Sequence, residues 1–313
     1  MVTLSVILPV FNEQDSIESS IIHLAGVLDT LKTDYEIIFV DDGSSDDTWR
    51  FIQKESKKNK KIKGVSLSRN FGKERALYAG LQKASGDAVI TMDGDLQHPP
   101  SVIPDLFNKW QETGCDVVNG VKVGRENEDF VSSWLVKKFY TVYKFFTGII
   151  IQNASDFKLL SRRMVDKYVE LNERDLFYRG LVPWMGFHQE SVEFKVEKRE
   201  VGTSKWSVVG RCFLAINAIT SFSALPLQIV TVVGFLFLAM SSMLVMQTFY
   251  MWFSGQALEG FTTLILILLL MGSILMISLG VIGQYLAKIY SEVKRRPIYI
   301  LKETAGFGNK TKK

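Results

Sequence analysis

Ala88-Val89-Ile90-Thr91-Met92-Asp93-Gly94-Asp95-Leu96-Gln97-His98 is the stretch on which the fold turns, an apolar β-branched run that stops abruptly at two acids around a glycine. Its first half has the length and composition of a buried strand. Two upstream segments repeat the pattern. Ser5–Val10 runs into Phe11-Asn12-Glu13, and Glu36–Val40 runs into Asp41-Asp42-Gly43-Ser44-Ser45-Asp46. Gly64–Leu67 and Val117–Asn119 are further strand candidates, while Asp15–Leu31, Asp46–Lys58, Phe71–Ala84 and Ser101–Thr113 carry helical apolar spacing. Strand–helix alternation predicts an α/β domain with a doubly wound, mostly parallel sheet. Ligands of such sheets gather beyond the carboxyl ends of the strands, where these acids fall. Carboxylates crowded together repel unless a cation or ribose hydroxyls separate them. Asp93 and Asp95 can reach one face, and Gly94 between them would let the backbone approach a phosphate. Oxygen ligands of this kind suit Mg²⁺ or Mn²⁺. His98 has no histidine near it in sequence, His23 and His188 being distant, which disfavours zinc.

The 313 residues are 47% apolar with mean hydropathy +0.12, and 37 Lys+Arg against 33 Asp+Glu give a net charge of +4. With seven prolines and two cysteines, this excludes a disordered chain, a collagen and a disulfide scaffold. Cys115 and Cys212 read as buried thiols of an intracellular chain in preference to one bridge. Cys212 to Leu258 contains no charged residue, Glu259 interrupts, and Gly260 to Ala287 is again uncharged. A bilayer-spanning helix needs roughly 20 apolar residues, so two spans are expected, about Leu225–Phe253 and Thr262–Ala287. The start of the chain lacks a basic region before its apolar run and reads as a strand, not a secretory signal. From Lys288 to Lys313 eight Lys/Arg face two acids, whereas the connector Ser254–Phe261 has one acid and no Lys or Arg. The positive-inside rule then puts the tail and the N-terminal domain in the cytoplasm and the connector outside. Lys294, Arg295 and Arg296 either set topology alone or also bind lipid. In residues 206–222, Trp206, Val209, Phe213, Ile216 and Ile219 share a helical face, while Arg211 and Asn217 argue against an extension of the first span. An interfacial amphipathic helix is the expectation. The chain thus divides into a polar domain at 1–205, that helix at 206–222, two spans with a short connector at 223–287, and a basic tail at 288–313.

The motifs ILPVFNE (7–13), VDDGSSDDT (40–48), SLSRNFGKERAL (66–77) and MDGDLQHPP (92–100), taken together, resemble those of inverting family-2 glycosyltransferases with the GT-A fold. More narrowly, the chain is similar to polyprenyl-phosphate glycosyltransferases, such as dolichol-phosphate mannose synthase and the bactoprenol glucosyltransferases. KREVGTSKWS (198–207) and GVIGQYLAKIYSEVKRRPIY (280–299) favour the bacterial, two-span branch. The resemblance implies that Pro9, Phe11, Glu13 and Asp42 line the nucleoside pocket, with Asp41 and Gly94 on the same nucleotide-sugar side. It also implies that Asp93 and Asp95 meet the diphosphate and a Mg²⁺ or Mn²⁺ ion, that Gln97 is a further metal ligand, and that Arg199 and Lys205 lie beside the phosphates. Arg69 and Lys73 touch the nucleotide or are a solvated helix start. Asp156 matches an acceptor-side carboxylate that orients the acceptor or takes its residual proton; a helix N-cap or a ligand of sugar hydroxyls is the competing account. Arg125 and the pair Lys137-Lys138 would hold the lipid phosphate, against a solvated basic face. Tyr178, Trp184 and Phe187 form either an acceptor-side wall or an aromatic core.

The reaction expected is inverting transfer of a hexose, glucose from UDP-glucose, to undecaprenyl or another polyprenyl phosphate at the cytoplasmic face of the plasma (inner) membrane. GDP-mannose-dependent mannose transfer is the rival within enzymes, and a non-catalytic membrane scaffold that kept the fold is the rival outside them. Membrane lipids are expected partners and nucleic acid is not. Gly272, Gly280 and Gly283 permit close helix contact, which alone does not make a homo-oligomer.

Overall fold

The computed structural model describes residues 3–94, 98–123, 130–149, 154–174, 176–195, 219–255 and 260–308. Its strands are β1 (Thr3–Val10), β2 (Asp34–Asp41), β3 (Ile62–Leu67), β4 (Ala88–Thr91), β5 (Val117–Val123), β6 (Ala154–Ser161), β7 (Gln189–Lys195) and β8 (Leu301–Ala305). The helices are α1 (Ile17–Leu28), α2 (Thr48–Lys58), α3 (Lys73–Lys83), α4 (Ile103–Thr113), α5 (Phe130–Thr147), α6 (Arg162–Leu171), α7 (Tyr178–Trp184), α8 (Leu225–Phe253) and α9 (Phe261–Val293). One eight-stranded sheet runs in the order β7-β5-β6-β4-β1-β2-β3-β8.

The middle of this sheet, β4-β1-β2-β3, is parallel, as strand–helix alternation requires. Leu4, Val6, Ile7 and Leu8 of β1 are all buried, so both faces of the strand are covered and its sequence is a continuous apolar run. Leu4, Val6 and Leu8 join Ile17, Ile21, Leu24 and Leu28 of α1 in the core on one side. The flanks are mixed. β6 lies antiparallel to both β4 and β5, and β8 antiparallel to β3, whereas the edge strand β7 runs parallel to β5; only β6 and β8 oppose the other strands, so the sheet is mostly parallel, as expected.

Register brings the chemistry together. Val10 pairs with Asp41, which aligns the carboxyl ends of β1 and β2. Thr91 pairs with Lys158 across the antiparallel β4–β6 ladder, and carrying that register two residues further sets Asp93 opposite Asp156.

Two compact units are present. The first comprises 1–140, 149–205 and 297–313, and the second 141–148 and 206–296. The basic tail is therefore not a segment apart, as the division at residue 288 had it. Its first residues complete α9, and Leu301–Ala305 become the edge strand β8. The physical reason is the open edge of β3, whose unpaired backbone groups are satisfied by pairing with β8. Glu303 on that strand accepts from Trp49 Nε1 at 3.0 Å and Gln53 Nε2 at 2.9 Å, and Ile298 just before it is buried.

In the second unit Leu225–Met251 and Leu270–Val293 are long and apolar enough to cross a membrane, with mean hydropathies of 2.4 and 1.7. Large side chains such as Phe235, Leu238, Met243, Leu275 and Ile277 point outward, an arrangement suited to hydrocarbon and costly in water. Tyr285 Oη donates to the Ser223 carbonyl at 2.6 Å and Lys288 Nζ to Ser221 Oγ at 2.6 Å, which fastens α9 to the helical residues 219–222. The rest of the expected interfacial helix, with Trp206, Val209, Phe213 and Ile216, lies outside the described residues, as does Cys212. Cys115 is a buried free thiol.

Candidate active site

The loops that leave β1 and β2 are laced to each other. Asn12 N donates to Ser44 Oγ at 2.9 Å, Ser45 N to Asn12 Oδ1 at 2.9 Å, and Glu13 N to Thr48 Oγ1 at 2.9 Å. Asn12 holds φ +53° to make this exchange, a left-handed conformation that Asn tolerates better than most residues. Gly43 sits at φ +73°, and a Cβ there would lie 2.3 Å from the Arg69 carbonyl carbon, so the turn requires glycine on both counts.

The paired aspartates after β2 serve this loop architecture. Asp41 Oδ1 accepts from Ser44 N at 2.9 Å and its Oδ2 from Ser66 Oγ at 3.0 Å. Asp42 accepts Phe71 N at 2.7 Å and Gly72 N at 2.8 Å, which ties the end of β2 to the entry of α3; burial pushes its carboxyl up, and those amides work against that push. Both carboxylates are thus engaged with the protein's own donors. Phe11 stands exposed at the mouth of the β1 loop, and Arg69 stacks on Phe71 with 4.3 Å from guanidinium to ring centre. Glu13 accepts from Ser16 Oγ at 2.7 Å, and Pro9 is a partly buried β1 residue paired with Val40.

Beside this loop pair lies a charged cluster built from α3, the end of β4, β6 and α7. Lys73, at the start of α3, places Nζ between Asp93 and Asp156 in ion pairs with both. Arg179 in α7 grips Asp156 with two prongs, Nε to Oδ1 at 2.7 Å and Nη2 to Oδ2 at 2.9 Å. The Asp156 carbonyl accepts Thr91 Oγ1 at 2.6 Å, and that hydroxyl is 2.8 Å from the hydroxyl of the fully buried Tyr178. Glu74 Oε2 accepts the Tyr178 amide at 3.0 Å, so α3 and α7 are fastened at the residues adjoining Lys73 and Arg179. Burial alone would raise the Asp156 carboxyl, but Arg179 and Lys73 outweigh it and hold the group well below the carboxylate range. The same contacts raise both cations against the pull of burial. Glu74 is pushed up to about 7 by burial and by the Asp156 charge. Lys158, two residues along β6, is buried against Asn119 Oδ1 at 2.5 Å, and burial lowers it to about 8.

His98 is buried under Asp93, with Nδ1 3.9 Å from Oδ2, and its ring packs on Phe157 and Phe194 at centroid distances of 5.3 and 5.7 Å. Burial brings it down to about 4, so the imidazole is neutral at physiological pH.

Several expectations need correction. Asp156 lies within a strand, so a helix N-cap role is overturned; the helix that follows is capped by Ser161, which accepts Met164 N at 3.2 Å. The bare side of Gly94 faces β1, where a Cβ would sit 2.8 Å from Val10 Cγ1 and 3.0 Å from the Pro9 carbonyl, so packing against β1 requires a small residue there. Lys73 contacts the two carboxylates and is no solvated helix start. Tyr178 belongs to the core, Phe187 receives Arg163 over its ring at 5.1 Å, and Trp184 remains exposed. Asp95, Gln97, Arg125, Arg199 and Lys205 lie outside the described residues, and so does the side chain of Lys137, although α5 contains it. Arg179 and Glu74 were missed. The available signal was a lone charge, Arg179, in the aromatic and apolar run Leu176–Phe187.

Asp93 offers hard carboxylate oxygens at the sheet edge, which fit Mg²⁺ or Mn²⁺, and an ion held there shares the carboxylate with Lys73. Among the described residues no three His, Cys, Asp or Glu side chains converge as a complete ligand set.

Comparison with known proteins bears on the family and the fold. The model of the family described as "Glycosyl transferase family 2" matches residues 5–169. An uncharacterized glycosyltransferase of Synechocystis is 41% identical over 310 residues, covering 97% of this chain and 96% of its own. The SfII prophage-derived bactoprenol glucosyl transferase of Shigella flexneri is 37% identical over 307 residues, covering 96% and 98%. Glucosyl-3-phosphoglycerate synthase of Mycobacterium tuberculosis superposes with a TM-score of 0.50 at 22% identity, over 71% of this chain and 80% of that one, a likeness of fold.

Proposed function

From the premise that the chain belongs to glycosyl transferase family 2 and is a glycosyltransferase of GT-A fold, we propose that it moves glucose from UDP-glucose to a polyprenyl phosphate, with inversion, at the cytoplasmic face of a membrane. The observation that carries this reading is the joining, in one chain, of the Asp93–Lys73–Asp156–Arg179 cluster to two helices apolar enough to span a bilayer. Near-complete coverage of relatives named bactoprenol glucosyl transferase supports the acceptor class and the sugar. Both termini lie in the cytoplasm in this reading, with the connector near Ser254 outside.

Transfer to a phosphate needs little base catalysis, because the second phosphate pKa is about 6 and the nucleophile is already ionised. An acceptor oxygen forms the bond to the anomeric carbon, the bond from that carbon to the diphosphate breaks, and its electron pair leaves with UDP. Two anions must meet, so this protein's task is charge screening. The loops after β1 and β2, with Pro9, Phe11, Glu13, Asp41 and Asp42, form the nucleoside side, and Arg69 flanks it. A divalent ion on Asp93, Asp95 and Gln97 would neutralise charge on the departing diphosphate. Arg199 and Lys205 would act on the same phosphates, and Arg125 and Lys137 would serve the acceptor. GDP-mannose is the alternative donor.

Purified protein with Mn²⁺, labelled UDP-glucose and undecaprenyl phosphate should yield an organic-extractable, β-linked product. Asp95→Ala should lower its formation by several orders of magnitude, and should weaken Mn²⁺ binding measured directly in the presence of UDP. Full activity in excess EDTA, or transfer from GDP-mannose alone, would overturn the metal or the donor respectively.

A further inference from the structure

Resting on the proposed reaction, we infer that Arg179 binds the acceptor's phosphate, with Lys73 beside it, and that Asp156 is a positioning residue for these two cations. The order of burial carries the argument. The Asp156 side chain is 5% exposed, whereas those of Arg179 and Lys73 are 40% and 39% exposed. A ligand therefore meets the cations first, with the carboxylate behind them. The Asp156 oxygens already accept from Lys73 Nζ, Arg179 Nε and Arg179 Nη2, which leaves them poorly placed to take a further proton. Arg179 keeps donors to spare. A guanidinium has five N–H groups, and Nη1 has no recorded partner among the described residues. Planar, partly open donors beside a compact ammonium match the oxygens of a phosphate.

Two phosphates visit this site, and geometry separates them. Lys73 touches both Asp93 and Asp156, but Arg179 touches Asp156 and not Asp93, the residue of the donor side. The frame is rigid as well. Thr91 holds the Asp156 carbonyl, Tyr178 reaches the same hydroxyl, and Glu74 clamps the Tyr178 amide, so the fork is set before a ligand arrives.

The test uses full-length protein in detergent with undecaprenyl phosphate. A wild type that makes no lipid-linked product defeats the reaction itself, and leaves a result distinct from failure of this inference. Given product, Arg179→Lys and Arg179→Gln should raise the acceptor KM about ten- to a hundredfold, with Mn²⁺–UDP binding by calorimetry within about twofold of wild type. Lysine keeps the charge beside buried Asp156 and loses the fork, so it should be the milder change. Asp156→Asn should raise the acceptor KM in the same direction and keep both limbs of the kcat–pH profile. An unchanged acceptor KM in both Arg179 variants overturns the proposal, as does parallel loss of Mn²⁺–UDP binding, which would put Arg179 on the donor side. A kcat collapse in Asp156→Asn with unchanged acceptor KM and a missing pH limb would make Asp156 a base and overturn its positioning role.

Discussion

His98 shows how one buried side chain writes a pH dependence into the molecule. The unfolded chain takes up its proton near pH 6.5, whereas burial between Phe157 and Phe194 delays protonation of the folded protein to about 4. The unfolded state thus binds more protons across that window, and stability falls as pH drops from 6.5 towards 4. The contribution is on the order of 3 kcal/mol for a shift of this size. His98→Phe keeps an aromatic ring in an aromatic pocket and removes the titration, so its melting temperature should fall less steeply between pH 6.5 and 4 than that of wild type. Identical slopes would place the acid sensitivity elsewhere. Gly43 is the backbone counterpart. Gly43→Ala adds a Cβ against the Arg69 backbone in a left-handed turn, and should cost several kcal/mol in denaturant melts, an amount typical of combined strain and clash.

At the scale of elements, β8 is the segment whose part in the fold its own residues conceal. Leu301–Ala305 reads as a polar continuation of a basic tail, yet it pairs along β3 and covers an edge that would otherwise recruit other chains. Glu303→Ala removes the acceptor for Trp49 and Gln53, and should lower stability by about 1 kcal/mol, read by thermal melting. Deleting 298–313 should do more, because it also strips Ile298 from the core and opens the backbone of β3. If the truncated protein melts with wild type and stays monodisperse in size-exclusion chromatography, β8 is an ornament of the edge.

For the whole molecule, charge placement and hydrocarbon length act together. The two helices long and apolar enough to cross a membrane present apolar side chains outward, and the Lys/Arg excess falls at and beyond the end of the second. If both ends are cytoplasmic, as proposed, a cysteine at Ser254 should label with an impermeant maleimide on intact cells, in a cysteine-free background, while one at Lys310 should not. Labelling at Lys310 and not at Ser254 reverses the orientation.

Local order determined the central sheet, both apolar helices and the acid-rich loops, because each is encoded by contiguous residues. A strand buried on both faces is a continuous apolar run, a span is an uncharged one, and a turn such as Asp42-Gly43 carries its own conformational signature. Asp93 and Asp156 were both recognisable from motifs. Their meeting was not, since it depends on β6 running antiparallel to β4, a register set across the sheet. The partners of Asp156 were likewise out of reach. Lys73 and Arg179 stand 83 and 23 residues from it in sequence and converge through the packing of α3 and α7. Burial order, which leaves the cations open and the carboxylate covered, is a property of three packed elements together, and no single stretch of chain contains it.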